Sequence, residues 1–211
     1  MFPLGTALLP GGELPLRVFE PRYRQMLTDH IEESDGRSTV RFGVVLIARG
    51  SEVGGGEVRR GVGTMARADV TERHPDGRAL LSGSGTHRFR VVEWLPDDPY
   101  PLARVEVLPE PSPTDADLAR LHSIDQRLRA VMRQAFEAAG KDVDTIFAAL
   151  DIIDADPLTA DISPVYRWAN RLQIEPHDQQ RLLEAVDPSG QLDVLDDVME
   201  GLEARAAFGR G

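Results

Sequence analysis

The chain lacks cysteine, has a single lysine, and contains no hydrophobic run of membrane-spanning length. The absence of cysteine excludes disulfides, thiolate metal ligands and cysteine nucleophiles. The longest uncharged apolar run covers residues 43–48, whereas a transmembrane helix needs roughly 20 such residues. The first residues contain no basic segment and are interrupted by Pro3, so we expect no signal peptide. Together these absences predict a cytoplasmic protein that does not act at a membrane.

Charge is distributed unevenly along the chain. The 211 residues carry a net charge of −11, with 41% hydrophobic residues and 19 glycines, a composition typical of globular domains. Residues 1–110 contain 14 arginines against 16 acidic residues, whereas residues 111–211 contain 10 basic against 19 acidic residues. Two different surfaces are therefore joined in one chain. Because an acidic chain repels phosphate backbones, we do not expect a nucleic-acid partner.

Residues 1–110 have the pattern of a β domain. Short extended runs are separated by Gly, Pro and Asp, and the segment His74-Pro75-Asp76-Gly77 predicts a hairpin turn between two of them. About six strands with one helix indicate a small barrel or a sandwich. The predicted strands are residues 14–19, 40–47, 60–70, 78–82, 87–95 and 102–108.

A single helix is expected within this β region. It is predicted to begin at Pro21, which suits the first helical position, and to end at Ser34-Asp35-Gly36. The strand residues just before the helix, together with Tyr23 at its start, are expected in the core. The strand residues are Leu14, Leu16, Val18 and Phe19, and the residues that share one face of the helix at helical spacing are Tyr23, Met26, Leu27, His30 and Ile31.

From residue 111 onward the hydrophobic period changes to that of helices. The segment Glu110-Pro111-Ser112-Pro113 marks the boundary, because prolines cannot continue a strand ladder. Thr114 and Asp117 form a capping box at the start of a helix that is expected to end at Gly140. The residues therefore predict an α+β protein with a β-barrel subdomain (1–110) and an α-helical bundle subdomain (111–211). Further helices are predicted at about 143–153, 164–172, 177–186 and 191–206.

The sequence contains no recognisable catalytic or metal-binding constellation. Its one lysine, Lys141, is followed by Asp142 and lacks the glycine spacing of a phosphate-binding loop. The five histidines have no metal-ligand spacing. The run Ser82-Gly83-Ser84-Gly85 resembles a nucleophile elbow only superficially, because a strand and not a helix is predicted to follow it. We therefore expect no catalytic residues, no metal and no cofactor.

Several segments together resemble the N-terminal domain of Lon proteases. The opening run, residues 2–26, contains Leu-Pro-Leu-Arg-Val-Phe-Glu-Pro-Arg-Tyr at positions 14–23, which is similar to the signature of that family. The resemblance implies a PUA-like β-barrel fused to a helical bundle, a module that recognises unfolded or damaged protein substrates. Lon proteases continue into an ATPase module and a Ser–Lys peptidase domain, so we expect a stand-alone substrate-binding domain and not an enzyme. The other matching segments are residues 42–47, 62–66, 76–91 and 172–184.

Two apolar loops are the candidate polypeptide-binding sites. Apolar residues in loops are explained less well by packing than those in strands, and exposed clusters of this kind suit extended apolar polypeptides. The alternative is that the two loops cap the ends of the barrel. The candidate residues are Leu8, Leu9 and Pro10 in the first loop, and Trp94, Pro99 and Tyr100 in the second.

Two function classes have support in the sequence, whereas a third, an enzyme with an unrecognised site, has no constellation of residues behind it. The first is a non-catalytic module that captures unfolded polypeptides and delivers them to a separate protease or chaperone. The second is a PUA-like module for a small molecule or RNA, since one fold serves many ligands. The second hypothesis requires six arginines to gather on one face of the barrel: Arg59, Arg60, Arg67, Arg73, Arg88 and Arg90.

Overall fold

The computed structural model describes residues 1–34, 36–53, 56–138, 161–172 and 174–208. The chain divides into two compact units. Unit 1 consists of Met1–Glu110 together with Glu175–Glu184, and unit 2 consists of Pro111–Ile174 together with Ala185–Gly211. The expected subdomain 111–211 included residues 175–184, whereas the structure places this segment with the sheet.

Unit 1 is built on one mixed sheet of seven strands. The strands pair in the order β1-β4-β5-β6-β2, with β3 added on β4 and β7 added on β6. The β1–β4 pair is parallel and the other strand pairs are antiparallel. The prediction of about six strands missed β1 and β3. The strands are β1 (Phe2–Leu4), β2 (Glu13–Val18), β3 (Glu32–Ser34), β4 (Arg37–Arg49), β5 (Val58–Arg73), β6 (Ala79–Leu95) and β7 (Leu102–Val107).

The two strands predicted at 78–82 and 87–95 form the single strand β6. The glycine-rich run between them continues the ladder, with Ser82 opposite Asp69 and Ser84 opposite Arg67. A Cβ atom at Gly83 would lie 2.3 Å from the carbonyl oxygen of Arg67. Glycine at this position therefore lets β5 and β6 approach closely, and the run is neither a loop nor a nucleophile elbow.

The predicted hairpin turn between β5 and β6 is confirmed. The amide of His74 donates to the carbonyl of Arg78 at 2.8 Å, and the amide of Gly77 donates to the carbonyl of His74 at 2.9 Å. Gly77 has a φ of 85°, a conformation that residues with a Cβ rarely adopt. The turn sequence alone therefore determined where these two strands meet.

Helix α1 (Pro21–His30) begins at the predicted proline but ends earlier than expected. Residues 32–34 leave the helix and pair with β4 as strand β3. On α1, Tyr23 packs its ring on Phe2 at a centroid distance of 4.0 Å. Phe19 is predicted to lie in the core, but it is 53% exposed. The core of unit 1 includes Phe2, Leu4, Leu8, Leu14, Val18, Tyr23, Met26, Leu27, Val40, Phe42, Val44, Ala66, Leu81 and Tyr100.

A second helix in unit 1, which we number α4 (Pro176–Glu184), is far from the sheet in sequence. The side chain of Gln180 donates from Nε2 to the carbonyl oxygen of Val62 in β5 at 3.1 Å. Leu182 and Leu183 on this helix are buried. These contacts explain why residues 175–184 belong to unit 1, although the sequence pattern grouped them with the other helices.

Unit 2 contains helices α2 (Asp115–Ala138), α3 (Pro164–Ala169) and α5 (Pro188–Phe208). The capping box is confirmed, because the amide of Asp117 donates to Thr114 Oγ1 at 3.2 Å and the amide of Thr114 donates to Asp117 Oδ2 at 2.9 Å. Arg127 on α2 donates to Glu203 on α5 at 2.9 Å. The helix predicted at 143–153 and the helix end at Gly140 lie outside the described residues. Within the described ranges, none of the helices combines the length and apolar character that crossing a bilayer requires.

Candidate functional site

The first predicted binding loop is part of the core. Leu8 and Leu9 are 7% and 2% exposed, and Pro10 is also buried. The loop is fixed to β6, because the amide of Gly11 donates to the carbonyl of Gly85 at 2.9 Å and the amide of Gly85 donates to the carbonyl of Gly12 at 3.0 Å. The sequence predicted exposed apolar side chains here, whereas the structure uses them for packing.

The second predicted loop is divided between buried and exposed residues. Tyr100 is 6% exposed, and its hydroxyl donates to Asp29 Oδ2 at 2.9 Å. The same hydroxyl lies 3.0 Å from Nε2 of His30, and burial raises the pKa of Tyr100 above its usual value. Pro99 is exposed. Tyr100 therefore anchors the loop to the end of α1, and Pro99 is the part of this pair that reaches solvent.

Trp94 lies in β6 and is partly exposed. The guanidinium of Arg59 lies 5.0 Å from the centre of the Trp94 ring. Arg59 is held in place by Glu57 at 2.8 Å and by Asp97 at 2.6 Å. The hydrogen bond from Arg59 holds the pKa of Asp97 below its usual value. The tryptophan is thus covered on one side by a fixed cation and retains partial access to solvent.

Strands β6 and β7 carry three exposed valines that the sequence analysis did not single out. Val92, Val105 and Val107 are 60%, 36% and 59% exposed, and we call the two on β7, Val105 and Val107, the valine patch. Val105 and Val107 are two residues apart on β7 and therefore share a face. Trp94 stands opposite Ala103 in register, so it lies on the same face as these two valines. Val92 occupies the register shift between Val91 and Glu93.

Strand β7 is an edge strand. In the part of the chain that the structure describes, it pairs with β6 only, and residues 104–107 are exposed. An unpaired edge presents main-chain N–H and C=O groups that can pair with another extended chain. Arg104 bonds to Glu93 at 3.1 Å on the face opposite the valines, and Glu106 stands opposite Arg90 in register. Charged side chains on an edge limit edge-to-edge aggregation.

The arginines required by the small-molecule or RNA hypothesis do not form one free set. Arg88 is 2% exposed and bonds to Glu110 at 2.9 Å. Arg59 is held by two carboxylates beside Trp94. Arg67 is exposed on a different part of β5. Two of the six arginines therefore have structural roles, and this hypothesis loses the common face on which it depended.

The described residues contain no group of three or more His, Asp or Glu side chains arranged to hold a metal ion. Their polar side chains are used mainly in ion pairs and caps, such as Arg22 with Glu20 at 3.2 Å and Arg129 with Asp125 at 2.6 Å. The surface that best suits a ligand is therefore the β7 edge with the valine patch and Trp94.

The family model of the ATP-dependent protease La (LON) substrate-binding domain matches residues 1–200 of this chain. The chain belongs to this family. Relatives of the LON substrate-binding domain include the Lon protease of Phenylobacterium zucineum, which is 29% identical over 134 residues, or 63% of this chain and 16% of that protein. The Lon protease of Paraburkholderia phytofirmans is 31% identical over 144 residues, or 66% of this chain and 16% of that protein. Each of these two alignments thus covers 16% of the relative's length.

Two solved structures have the same fold as this LON substrate-binding domain. A Lon N-terminal domain protein from Xanthomonas campestris aligns with a TM-score of 0.58 at 23% identity, covering 92% of this chain and 94% of that chain. The N-terminal domain of the Mycobacterium avium complex Lon protease aligns with a TM-score of 0.57 at 19% identity, covering 94% and 96%. The fold is therefore that of Lon N-terminal domains, with a mixed sheet and several helices.

Proposed function

We propose that this chain is a non-catalytic module that binds unfolded or damaged polypeptides through their exposed apolar segments. The observation that carries the proposal is the unpaired edge of β7 beside the valine patch. Membership in a family described as a substrate-binding domain supports the same conclusion. The matched family region is the substrate-binding part of Lon, so we propose recognition and no chemical step.

An extended polypeptide would bind as an additional strand on β7. Main-chain hydrogen bonds to the edge are independent of sequence, which suits a receptor for many different unfolded chains. Alternate side chains of the bound segment would pack on Val105, Val107 and the partly exposed ring of Trp94. A folded protein keeps its apolar segments buried and its strands paired, so it would not compete for this edge.

The predicted binding residues have two roles in this proposal. Trp94 and Pro99 reach solvent and remain candidates for direct contact with the bound chain. Leu8, Leu9, Pro10 and Tyr100 are buried, so in this proposal they do not contact the bound chain.

The module would act as an adaptor in protein quality control that passes its clients to a separate protease or chaperone in the cytoplasm. Its net charge of −11 keeps the protein soluble and favours encounter with basic clients. We also propose that its sheet belongs to the PUA-like class and that the helices of unit 2 form a bundle.

A binding measurement with matched valine variants tests the proposal. The probe is a reduced and alkylated, permanently unfolded protein carrying a fluorescent label, and anisotropy reports its affinity for the full chain. The double variant V105T/V107T keeps the shape and strand preference of valine but removes apolar surface. We expect its affinity for the unfolded probe to fall about tenfold, as the loss of a few buried methyl groups predicts.

The control is V186T, because Val186 is 81% exposed and lies in unit 2. This variant should bind the unfolded probe as the unmodified chain does. The folded form of the probe protein should not bind to any of the three chains. Equal affinities of the valine double variant and the control would refute the assignment of the surface, and binding of the folded form would refute the selectivity.

A further inference from the structure

The solvent-facing side of the sheet has two adjacent hollows that strand addition on β7 does not use. The first, of about 570 Å³, lies where β2 ends beside the β5–β6 turn. Its apolar lining includes Phe19 and Leu80, and its polar lining includes Arg17, His74 and Arg78. Phe19 is 53% exposed, which is unusual for an aromatic side chain at the end of a strand. This hollow suits an apolar side chain that enters from solvent.

The second hollow, of about 390 Å³, is polar. Two arginines, Arg37 and Arg67, and the hydroxyl groups of Thr39, Ser82 and Ser84 line it together with Asp69. The short serine side chains on β6 lie beside Arg67 on the neighbouring strand β5, and Arg37 lies on β4 beyond it. Guanidinium and hydroxyl groups are the donors that bind a carboxylate.

The charge of Arg67 is available for a ligand. Within the described residues this side chain has no ion-pair partner, whereas Arg59, Arg88 and Arg127 are each bound by carboxylates. Asp69 lines the same hollow, so the two arginines Arg37 and Arg67 leave it with a net positive charge. Arg67 and Ser84 stand opposite each other in register, so both face the second hollow from neighbouring strands.

The strand register fixes the distance between the two hollows. Leu80 lines the first hollow and stands opposite Arg17, and Ser82 lines the second and stands opposite Pro15. Leu80 and Ser82 are two residues apart on one strand, so they share a face and lie about 7 Å from each other. An extended polypeptide advances by the same distance every two residues. One bound segment can therefore reach both hollows with side chains two to four positions apart.

We propose that this face selects polypeptide segments in which an apolar side chain and a carboxylate lie two to four residues apart. The apolar side chain occupies the hollow beside Phe19, and the carboxylate binds Arg67 and the serine hydroxyls in the neighbouring hollow. The inference rests on the proposed function, polypeptide recognition, and names a substrate class for it. The acidic net charge favours basic clients at long range and is screened by salt, whereas Arg67 binds a carboxylate at contact. A preference for basic clients as a whole is therefore compatible with a preference for one acidic side chain at this hollow.

The test uses three fluorescent ten-residue peptides with a Gly/Ser/Thr background. The first contains Leu and Asp two positions apart, the second has Lys in place of Asp, and the third has Ser in place of Leu. Anisotropy measures their binding to the full chain and to the variants R67Q and F19S. The matched control is R49Q, because Arg49 is also an exposed arginine near the end of a strand but lines neither hollow.

We expect the Leu–Asp peptide to bind about tenfold more tightly than either of the other two, since the second loses a charge-assisted hydrogen bond and the third loses a buried leucine side chain. R67Q should remove the preference for Asp over Lys, F19S should remove the preference for Leu over Ser, and R49Q should retain both. Equal binding of the three peptides, or equal behaviour of R67Q and R49Q, would overturn the inference.

Two further outcomes separate this inference from the proposed function. If the unfolded protein binds and the Leu–Asp peptide shows no preference, the substrate class is wrong while strand addition on β7 stands. If the unfolded protein itself does not bind, the proposed function fails together with this inference. Concentration-dependent self-association that R67Q abolishes would identify a second copy of this acidic chain as the occupant and would also overturn the inference.

Discussion

Arg88 and Leu183 are joined by a hydrogen bond across 95 residues of sequence: Nη1 of the arginine donates to the leucine carbonyl oxygen at 2.9 Å. Leu183 lies in the last turn of α4, where helix carbonyls have no partner within the helix. The same guanidinium donates to Glu110 at 2.9 Å and to the carbonyl of Pro109 at 3.0 Å. One buried side chain thus connects three parts of unit 1: strand β6, residues 109–110 at the end of the first segment, and helix α4.

Replacing Arg88 should destabilise unit 1 strongly. In Arg88→Leu the carbonyls of Leu183 and Pro109 lose their donor inside the protein, so we expect a loss of about 3 kcal/mol in the free energy of unfolding. Urea denaturation measures this loss. Arg90→Gln is the control, since Arg90 is exposed on the same strand and should change stability by less than about 0.5 kcal/mol. Equal effects of the two changes would contradict the role of Arg88.

Two tyrosines should respond in opposite ways to loss of their hydroxyl groups. Tyr23 is 2% exposed, and its hydroxyl has no hydrogen-bond partner among the described residues, so Tyr23→Phe should leave stability unchanged or raise it by about 1 kcal/mol. Tyr100 donates to Asp29 at 2.9 Å, so Tyr100→Phe should lower stability by about 1 kcal/mol. Thermal and urea unfolding of both variants provide the comparison. A larger loss for Tyr23→Phe than for Tyr100→Phe would contradict these assignments.

The ion pair between Arg59 and Asp97 should make stability depend on pH on the acid side. The hydrogen bond from Arg59 lowers the pKa of Asp97 below its usual 3.8. A depressed carboxyl pKa stabilises the folded state above the unfolded pKa, and this contribution disappears as the pH falls through the folded pKa. We therefore expect Asp97→Asn to lower the melting temperature at pH 6, and the difference from the unmodified chain to shrink below about pH 4. A difference that stays constant from pH 6 to pH 3 would exclude this linkage.

Two strand glycines offer a matched test of the close approach between β5 and β6. A Cβ atom at Gly83 would lie 2.3 Å from the carbonyl oxygen of Arg67, whereas no atom of the part of the chain that the structure describes lies within 4 Å of one at Gly61. Gly83→Ala should lower the free energy of unfolding by at least about 2 kcal/mol, because backbone must move to make room. Gly61→Ala should be neutral or slightly stabilising. Urea unfolding of the two variants checks this, and similar values for both would contradict the register at Ser82–Gly85.

Only part of the proposed binding surface was accessible to sequence reasoning. Trp94 was selected as an apolar residue beside a loop, and the structure places it on the same face as Val105 and Val107. The alternation Val105-Glu106-Val107 was visible, but alternation is the same whether a neighbouring strand covers the edge or leaves it free. The two hollows were not predictable, because each one combines side chains from distant strands.

Features that depend on neighbours a few residues away follow from the local sequence. The hairpin turn at 74–77, the start of α1 at Pro21 and the capping box of Thr114 and Asp117 all formed as predicted. Each results from local dihedral preferences or from hydrogen bonds across three or four residues, which the local sequence specifies completely.

Long-range packing determines which apolar residues are covered and where α4 packs. Leu9 is 2% exposed and Phe19 is 53% exposed, although both are apolar residues beside turns. The difference lies in their long-range surroundings, since the loop of Leu9 is held on β6 at Gly85 while Phe19 opens into a hollow. Likewise, α4 joins unit 1 because Arg88 and Val62 meet it there. Hydrogen bonds and burial between distant segments leave no local pattern, so hydrophobic period alone could not predict them.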